Sequence, residues 1–447
     1  MNGGEEMSQA SAALRRIAGI LDAGSFAELG EGVIGSGVVT GFGTIGSKPV
    51  YVFSQDPDEK AGSIGTAHAE KIVRLYKMAI KTQTPVLGLV DTSGIRLDEG
   101  AETLNAFGKI FRLQAKAKGV IPQVFAVFGS CGGSMAISAG MSDFLFMTKD
   151  AKIFVNPAAS REYSGPRAGI ADALAQNPAS TRLGFFSGTE KEVFEQVRDL
   201  YDFLPLSDLY APEMVIGSDD LNRVCAGIEA FKDDPKALIE TIADDGKFAP
   251  AHLCPHHAFG LIRLGGQVAA VIASSGGPLK ARALERFEKF IRFASDYGIP
   301  LVTLTNADGF SGAEGQEELL PQAAARMAYT YALAPVAKVN VVVGKASGAV
   351  VSLMDSTALG ADFVYAWDSC ELQVMPAEQG AKVLFADEIA SAANPKAELS
   401  AKTAEFAAMS GKEAFVSKGF IDKVIQPCDT RKYIIGSLQM LMDKAEF

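Results

Sequence analysis

The chain has 447 residues, of which 48% are hydrophobic and 21% are charged, and its formal net charge is −11. This balance is typical of a globular protein with two or three domains, and the negative charge argues against a nucleic-acid-binding surface. No apolar run approaches the roughly 20 residues that a transmembrane helix needs. The polar, acidic start, Met1 to Ala10, shows no signal peptide, so we expect a cytoplasmic protein, at most peripheral to a membrane.

The cysteine and histidine side chains predict no metal site. The five cysteines include no C-x-x-C pair, which fits a reducing compartment without disulfides. Cys254 stands among His252, His256 and His257, but this spacing matches no established zinc pattern. We therefore expect a plain surface loop at this point of the chain.

The first elements predicted along the chain are a helix and a pair of strands. An amphipathic pattern predicts a helix over 8–21, and 33–55 is typical of paired strands with glycine turns. Within that pair, Gly41, Gly43 and Gly46 spell the G-x-G-x-x-G pattern of dinucleotide-binding turns. That pattern needs a helix after it, whereas the residues that follow are typical of a strand. We therefore predict a hairpin and no dinucleotide site.

Helices and strands then alternate. The pattern predicts a helix over 66–81, a strand ending at Asp91, and a strand over 124–128 that leads through a glycine loop into a buried helix, 135–141. Alternation of this kind indicates an α/β domain with a largely parallel sheet. The stretch 156–189, rich in small residues and proline, is predicted to be irregular.

The second half of the chain repeats the first. Gly344 follows Gly129 by 215 residues, and Asn306 follows Asp91 by the same interval. The first long helix also has a counterpart, predicted over 283–297. A repeat of this length, with each copy large enough for its own core, indicates two similar domains.

The domain boundary is predicted from composition. Acidic and proline-bearing segments cluster between Pro205 and Asp234. We place the first domain at 1–224 and the second at 225–447.

Two short glycine-bearing loops, 128–134 and 343–349, occupy matching places in the repeat. Each follows an apolar strand and enters a predicted buried helix. This arrangement points free backbone N–H groups at a site in front of the helix N-terminus, where fixed donors suit a developing oxyanion. A single loop of this kind is more often only a tight turn. Two loops in register favour a pair of oxyanion sites.

Side chains in the usual catalytic patterns are scarce. The G-x-S-x-G nucleophile motif is absent around Ser134. Asp91 and Asn306 end strands, where polar residues often close a turn. Lys345 and Arg96 are expected to be solvated cations rather than phosphate ligands. Backbone donors are therefore the best supported catalytic groups.

Several short motifs in each half occur together in one known family. In the first half they are LDAGSF at 21–26, EKIVRL at 70–75, DEG at 98–100 and GVIPQ at 119–123. In the second half they are KFIRF at 289–293, IPLVT at 299–303, GF at 309–310 and LGADF at 359–363. With these motifs the chain resembles, from about residue 21 to 425, the carboxyltransferase subunits of biotin-dependent acyl-CoA carboxylases and decarboxylases, such as propionyl-CoA carboxylase β and methylmalonyl-CoA decarboxylase α.

The resemblance implies an α/β fold of two tandem crotonase-type ββα-superhelix domains, which matches the repeat. It implies that N–H groups of one loop hold the thioester oxygen of an acyl-CoA as its enolate forms. Those of the other loop would hold the ureido oxygen of biotin as its N-carboxyl group leaves. By position, the catalytic donors are Gly133 and Ser134 in the first domain, and Ala349 and Val350 in the second.

Residues beside these donors are expected to bind the substrates. They are Cys131, Gly132 and Gly94 for the first loop, and Gly348 and Ser352 for the second. The resemblance implies no metal.

The function implied is that of a carboxyltransferase enzyme, which moves a carboxyl group between carboxybiotin and a short acyl-CoA, acetyl-CoA or propionyl-CoA. Two alternatives stay open. One is the reverse transfer, from methylmalonyl-CoA, malonyl-CoA or glutaconyl-CoA, in a sodium-pumping decarboxylase or a transcarboxylase. The other is a non-catalytic scaffold subunit that binds acyl-CoA.

The resemblance also implies partners. Biotin is expected on a separate biotin carboxyl carrier protein, because the chain contains no Met-Lys-Met. Biotin carboxylase or membrane decarboxylase subunits are the other expected partners. The subunit itself is expected to form a homodimer or a hexamer of three dimers, with each site split between chains.

Both loops depart from the usual residues of the family. The usual Ala-Gly-Gly-Ala is Gly132-Gly133-Ser134-Met135 here, and the usual Gly-Gly-Ala-Tyr-Asp is Gly348-Ala349-Val350-Val351-Ser352. The usual Asp-Val-Pro-Gly-Phe begins with Asn306 in this chain. Because Ser352 replaces an acidic residue beside the acyl pocket, the identity of the acyl group stays open.

Overall fold

The structure is a computed structural model that describes residues 10–156, 186–215, 217, 219–442 and 444. The chain divides into two compact units, 1–212 and 213–447. In its described residues, each unit contains an eight-stranded sheet of mixed direction with helices packed on it. Most of the stretch predicted to be irregular, 156–189, lies outside the described residues.

The described part of the first unit alternates strands and helices. Its strands are β1 Ala27–Glu28, β2 Val38–Ile45, β3 Lys48–Gln55, β4 Val86–Thr92, β5 Gln123–Gly132, β6 Phe144–Thr148, β7 Lys152–Phe154 and β8 Phe186–Gly188. Its helices are α1 Ala12–Ile20, α2 Thr66–Thr82, α3 Ala101–Ala117, α4 Ser134–Met141 and α5 Glu190–Phe203.

The first sheet has the order β1-β2-β3-β4-β5-β6-β8, with β7 paired to the far end of β5. β2 and β3 form an antiparallel hairpin, turning at Gly46 and Ser47, which both have positive φ. Gly41 lies where a Cβ would collide with the carbonyl oxygen of Ala27 on the edge strand β1. The prediction of a hairpin at the G-x-G-x-x-G pattern is thus confirmed. From β3 to β8 all neighbours are parallel.

The second unit follows the same plan. Its strands are β9 Phe248–Cys254, β10 His257–Leu264, β11 Gln267–Ser274, β12 Leu301–Ala307, β13 Lys338–Ser347, β14 Phe363–Trp367, β15 Glu371–Gln373 and β16 Lys423–Ile425. Its helices are α6 Pro235–Ile242, α7 Ala281–Asp296, α8 Leu320–Leu333, α9 Ala349–Met354, α10 Ala377–Leu384, α11 Ala386–Ser391, α12 Pro395–Ser410, α13 Lys412–Ser417 and α14 Thr430–Met440.

The repeat extends to the register of the strands. Val86 of β4 pairs with Gln123 of β5, and Leu301 of β12 pairs with Lys338 of β13, each 215 residues later. The second sheet has the order β16-β14-β13-β12-β11-β10-β9, with β15 paired to the end of β13. Equivalent strands therefore deliver equivalent loops to the same edge of each sheet.

The central strands are buried, which explains their continuous apolar sequences. In the first unit, Phe53 of β3 and Phe125 of β5 pack edge to face, with ring centroids 5.4 Å apart. In the second, the fully buried Trp367 of β14 donates from Nε1 to Thr430 Oγ1 at 2.8 Å. Aromatic side chains of β5 and of β14, the neighbour of β13, thus belong to the cores of the two units.

Most predicted helices lie where expected, with ends shifted by a few residues. The helix predicted over 8–21 is observed at 12–20 because Ser11 caps it, accepting the N–H of Leu14. The surface loop predicted around His252 and His257 is wrong: these residues lie in β9 and β10, and both are buried. Among the described helices, none combines the length and the apolarity needed to cross a bilayer.

Candidate active site

The first glycine loop joins β5 to α4 through Gly133, whose φ of 61° and ψ of −131° suit a residue without a side chain. Its N–H donates to the carbonyl of Phe154 in β7 at 2.8 Å, and its carbonyl accepts the N–H of Ala136 at 3.1 Å. The two amides between these bonds, of Ser134 and Met135, donate to no acceptor among the described residues. They open the helix as a pair of free donors.

The second loop has the same pattern. Gly348 joins β13 to α9 with φ 62° and ψ −140°. Its N–H donates to Gln373 in β15 at 3.1 Å, and its carbonyl accepts the N–H of Val351 at 3.1 Å. The amides of Ala349 and Val350 have no acceptor in the described part of the chain.

The free donors are therefore equivalent pairs, related by 215 residues. The sequence prediction named three of them, Ser134, Ala349 and Val350, but took Gly133 in place of Met135. Because the amide of Gly133 is bonded to Phe154, Met135 replaces it in the proposal below. The 215-residue repeat already indicates Met135, because Val350 corresponds to Met135, whereas Gly133 corresponds to Gly348.

The carboxylate of Asp91 anchors the first loop by a hydrogen bond. Asp91, in β4, accepts the N–H of Ser130 on Oδ1 at 3.1 Å, and Arg16 donates to its Oδ2 at 2.9 Å. Arg16 is itself buried, with its guanidinium 4.6 Å from the ring centroid of Phe128. A Cβ at Gly129 would collide with this carboxylate, which explains the glycine.

The side-chain amide of Asn306 anchors the second loop in the equivalent way. Asn306, in β12, accepts the N–H of Lys345 at 2.8 Å. Its Nδ2 donates to the carbonyl of Lys232 at 2.9 Å and to the carboxylate of Asp233 at 3.0 Å. A Cβ at Gly344 would collide with the side chain of Asn306. Asp91 and Asn306 thus position the loops, a role that the sequence prediction, a simple turn closure, did not include.

A buried histidine lies behind the first anchor. The N–H of Asp91 donates to Gln55 Oε1 at 3.1 Å, and Gln55 Nε2 lies 3.2 Å from His68 Nε2. His68 Nδ1 lies 2.9 Å from the carbonyl of Ser36, so this nitrogen carries the proton and Nε2 accepts. Burial, only partly offset by the carbonyl of Ser36, lowers the pKa of His68 to about 3. His68 is therefore a neutral hydrogen-bonding residue, connected to the loop through Gln55 and Asp91.

The predicted substrate-binding residues of the first loop lie close together. Gly94 has φ 118°, and a Cβ there would lie 3.4 Å from the carbonyl oxygen of Gly132. A Cβ on Gly132 would lie 2.5 Å from the carbonyl of Ser93 and 2.9 Å from the ring of Phe154. Cys131 is fully buried, and burial raises the pKa of its thiol to about 12, so it is no nucleophile.

The helix after the second loop carries the predicted Ser352 and a carboxyl, Asp355. Ser352 is exposed on α9, and its side chain makes no hydrogen bond to the loop among the described residues. Asp355, at the end of the same helix, is buried, and its Oδ1 accepts the hydroxyl of Thr305 at 2.8 Å. Burial raises the pKa of Asp355 to about 7. This carboxyl faces the core, so it does not replace the acidic side chain missing at Ser352.

The two cations considered from the sequence differ in their surroundings. Lys345 is exposed, 3.8 Å from the carboxylates of Asp308 and Glu371. Arg96 is buried and donates to the carbonyls of Gly35 and Ser63, so the prediction of a solvated side chain is wrong for it. Arg96 also pairs with Glu99 at 3.3 Å, so it joins neighbouring segments of the first unit and presents no free charge to a phosphate.

Each of the two strand–turn–helix loops has a pair of unbonded amides and is anchored by a side chain and by a short strand. This arrangement defines an α/β enzyme of the oxyanion-stabilising class. Comparison with known proteins gives the family. The family model described as "Carboxyl transferase domain" matches residues 11–447, and the chain belongs to this family. It is a carboxyltransferase subunit, as the sequence predicted.

The matches to known proteins cover nearly the whole chain. It is 33% identical over 469 residues to the methylmalonyl-CoA decarboxylase subunit alpha of Veillonella parvula, covering 97% of this chain and 90% of that protein. It is 32% identical over 433 residues to the propionyl-CoA carboxylase beta chain of Roseobacter denitrificans, covering 92% and 84%.

A solved structure agrees with the fold. Transcarboxylase 12S, with methylmalonyl-coenzyme A and methylmalonic acid bound, superposes with a TM-score of 0.89 at 29% identity, covering 99% of this chain and 91% of that one. The predicted fold of two tandem crotonase-type domains is confirmed.

Proposed function

We propose that this carboxyltransferase moves a carboxyl group between biotin, carried on a separate carrier protein, and a short acyl-CoA such as acetyl-CoA or propionyl-CoA. The observation that carries the proposal is the pair of equivalent loops, each with two free amides. Two oxyanions develop in this transfer, one on the thioester and one on the ureido group, and the chain offers one donor pair for each. The relatives named for propionyl-CoA and methylmalonyl-CoA support the substrate class.

In the first unit, the amides of Ser134 and Met135 would bind the thioester oxygen. The adjacent carbon would give its proton to the biotin nitrogen that has released the carboxyl group, which places negative charge on the thioester oxygen, and two fixed N–H groups would stabilise it. Each such donor contributes about 3 kcal/mol to the transition state. The anchors Asp91 and Phe154 keep the loop in place, so no reorganisation is needed when the charge develops.

In the second unit, the amides of Ala349 and Val350 fit the ureido oxygen of biotin, the only group of that cofactor that gains charge when its carboxyl group leaves. Biotin held there would supply the carboxyl group in the forward direction, with its ring nitrogen accepting a proton in exchange, and would accept the carboxyl group in the reverse direction. The chain's own residues orient the ring, exclude water and hold the charge. Val350 is buried and Gly348 is half-buried, so the turn that carries this donor pair is packed against the unit.

Carboxyl exchange with free biotin and a panel of CoA thioesters tests the proposal. We expect biotin-dependent exchange with one or more short acyl-CoA substrates. Ser134→Ala keeps the backbone donor and should retain most activity, whereas Ser134→Pro deletes it and should lose orders of magnitude. If Ser134→Ala is as inactive as Ser134→Pro, the hydroxyl is a nucleophile and the mechanism is wrong.

The reverse transfer is the second candidate. The relative from Veillonella parvula is a methylmalonyl-CoA decarboxylase subunit, and the chain is as similar to it as to the carboxylase subunit. Both directions use the same donors. Copurification with either a biotin carboxylase or a membrane decarboxylase subunit would separate them, and a cytoplasmic location is expected in both cases.

We further propose that the enzyme is a homodimer or a hexamer, with acyl-CoA on the first unit of one chain and biotin on the second unit of its neighbour. Apolar side chains are exposed beside both loops: Ile137 at 47%, Val155 at 53% and Val374 at 52%. Val155 and Val374 directly follow β7 and β15, the strands that hold the loops. These exposed side chains beside the loops support a contact surface there, and the structure of transcarboxylase 12S is a hexamer assembly.

Mixing two inactive variants tests shared sites. Ser134→Pro and Ala349→Pro chains, unfolded and refolded together, should regain part of the activity, because mixed dimers contain one intact site. Mass spectrometry of tagged chains verifies subunit exchange. If exchange occurs without recovery of activity, each site lies within one chain.

A further inference from the structure

The hairpin of β9 and β10 gathers three side chains on one face. His257 stands opposite Cys254 in the strand ladder, and Phe259 stands opposite His252. Side chains two residues apart on a strand share a face, and directly opposed residues lie on the same face. His252, Cys254 and His257 therefore converge, although their spacing in the sequence fits no standard motif.

The distances suit a single metal ion. One ligand atom from each of the three residues lies within 4.8 Å of the other two. Cys254 Sγ is 3.4 Å from His257 Nδ1. Zinc bonds of about 2.3 Å to sulfur and about 2.0 Å to nitrogen, at a tetrahedral angle, place these two atoms roughly 3.5 Å apart. Two of the three ligands are thus already at coordination distance from one another.

The surroundings favour a bound ion over a solvated loop. Helix α7 covers the two imidazoles, with the ring of Phe287 edge-on to His257 at 5.3 Å. His252 and His257 are each only 8% exposed. Cys254 is a free cysteine and is partly exposed, so solvent reaches the thiol.

We propose that His252, Cys254 and His257 bind a thiophilic d10 metal ion, Zn²⁺ or Cu⁺, with the thiolate of Cys254 as its anionic ligand. Two imidazoles and one thiolate form a ligand set that zinc and monovalent copper both accept. Binding releases the thiol proton, and no redox change is involved. The proposal replaces the sequence expectation of no metal, and it is independent of the carboxyltransferase site.

Arg286 is expected to set the affinity. Its Nη1 lies 2.7 Å from His252 Nε2, so the guanidinium donates to the lone pair of this imidazole. A metal ion that takes the same lone pair must displace Arg286, and the two cations repel each other. Arg286→Gln should therefore tighten metal binding, whereas removal of a ligand should weaken it.

The test uses the full-length protein after treatment with a chelator. Co²⁺ serves as a spectroscopic probe, since a thiolate ligand gives a sulfur-to-cobalt charge-transfer band and tetrahedral geometry gives intense visible bands. We expect one equivalent to bind, and Cys254→Ser to abolish the charge-transfer band. His257→Gln should weaken binding at least tenfold. His256→Gln, in the exposed turn, and Cys428→Ser, elsewhere in the same unit, are matched controls that should change nothing.

Competition with chromophoric chelators then measures Zn²⁺ and Cu⁺ affinity separately and shows which ion is preferred. A second readout does not depend on variants: Zn²⁺ or Cu⁺ should protect Cys254 of the wild-type protein from alkylation. Binding of less than a fifth of an equivalent, a charge-transfer band that survives in Cys254→Ser, or equal alkylation with and without both ions would overturn the proposal.

Discussion

Asp91 and Ser130 are 39 positions apart in the chain, and the carboxylate of Asp91 accepts the N–H of Ser130 at 3.1 Å. Asn306 and Lys345 have the same separation and the same bond, at 2.8 Å. Each loop is thus held at two points. A side chain, Asp91 or Asn306, accepts the amide three positions before the turn glycine, and a short strand, β7 or β15, accepts the amide of that glycine. The free amides are fixed before any substrate arrives, which is the condition for oxyanion stabilisation without reorganisation.

Ala349→Pro should slow carboxyl transfer to and from biotin strongly without unfolding the protein. Ala349 is the first residue of α9, where proline is well tolerated, and the change removes only its N–H. Loss of one oxyanion donor predicts a fall in kcat of about 10²- to 10³-fold. Carboxyl exchange with free biotin measures the rate.

Ala349→Gly is the matched control for that variant, because it keeps the N–H and restores the usual residue of the family. Thermal unfolding of both variants shows whether the fold is retained. A proline variant within threefold of the glycine variant would contradict the assignment of this donor.

Asn306→Asp should destabilise the second unit, although aspartate is usual at this position in the family. The new carboxylate would face the carbonyl of Lys232 and the carboxylate of Asp233, where Asn306 now donates. Replacing a buried donor by an acceptor predicts a loss of about 1–3 kcal/mol. Asp233→Asn in the same chain should restore much of it, as denaturant unfolding would show. Equal losses in the single and double variants would place the cause elsewhere.

Gly132→Ala should impair the first site, although alanine is again usual in the family. A Cβ would meet the carbonyl of Ser93 at 2.5 Å and the ring of Phe154 at 2.9 Å. Overpacking of this kind costs about 1–3 kcal/mol. In contrast, Gly108→Ala, inside α3 with nothing near the new Cβ, should stabilise the unit by about 0.5–1 kcal/mol. Thermal unfolding and exchange activity of the two variants provide the comparison, and equal effects would refute the steric argument.

His68 should make the first unit acid-sensitive. Its pKa is about 3 in the folded protein, against 6.5 for an ordinary histidine. The unfolded chain therefore binds more protons between these values, so stability is complete above pH 6.5 and falls as the pH decreases towards 3, by up to about 1.4 kcal/mol per pH unit.

His68→Gln tests this dependence, since glutamine cannot take up the proton. Urea unfolding between pH 5 and 7.5 should show a flatter pH dependence for the variant in the transition of the first unit. An unchanged slope would mean that other groups cause the acid sensitivity.

Much of the fold could be predicted from the sequence because the signals for it, the internal repeat and the periodicity of apolar residues, are visible in the sequence itself. The 215-residue interval locates both loops, and apolar periodicity locates the long helices. The strands at His252 and His257 were missed because polar residues on a short hairpin look like a loop. Only the packing of α7 over that hairpin makes them buried.

The site was harder to predict than the fold, since its hydrogen bonds join distant residues. The donor pair in the first loop depends on whether Gly133 finds an acceptor, and that acceptor, Phe154, lies on a separate edge strand. The role of Asp91 depends on Ser130, 39 positions away. The family resemblance supplied the chemistry, but the bond that decides between Gly133 and Met135 became visible only in three dimensions.

The four unbonded amides have a consequence for deuterium uptake. Amides that donate to no acceptor exchange with solvent faster than neighbours within a hydrogen-bonded ladder. Ser134 and Met135, like Ala349 and Val350, should label early, between strands and helices that label late. An acyl-CoA should slow uptake in the first pair alone, and biotin in the second pair alone. Mass-spectrometric exchange would thereby report the occupancy of each site separately, in the absence of turnover.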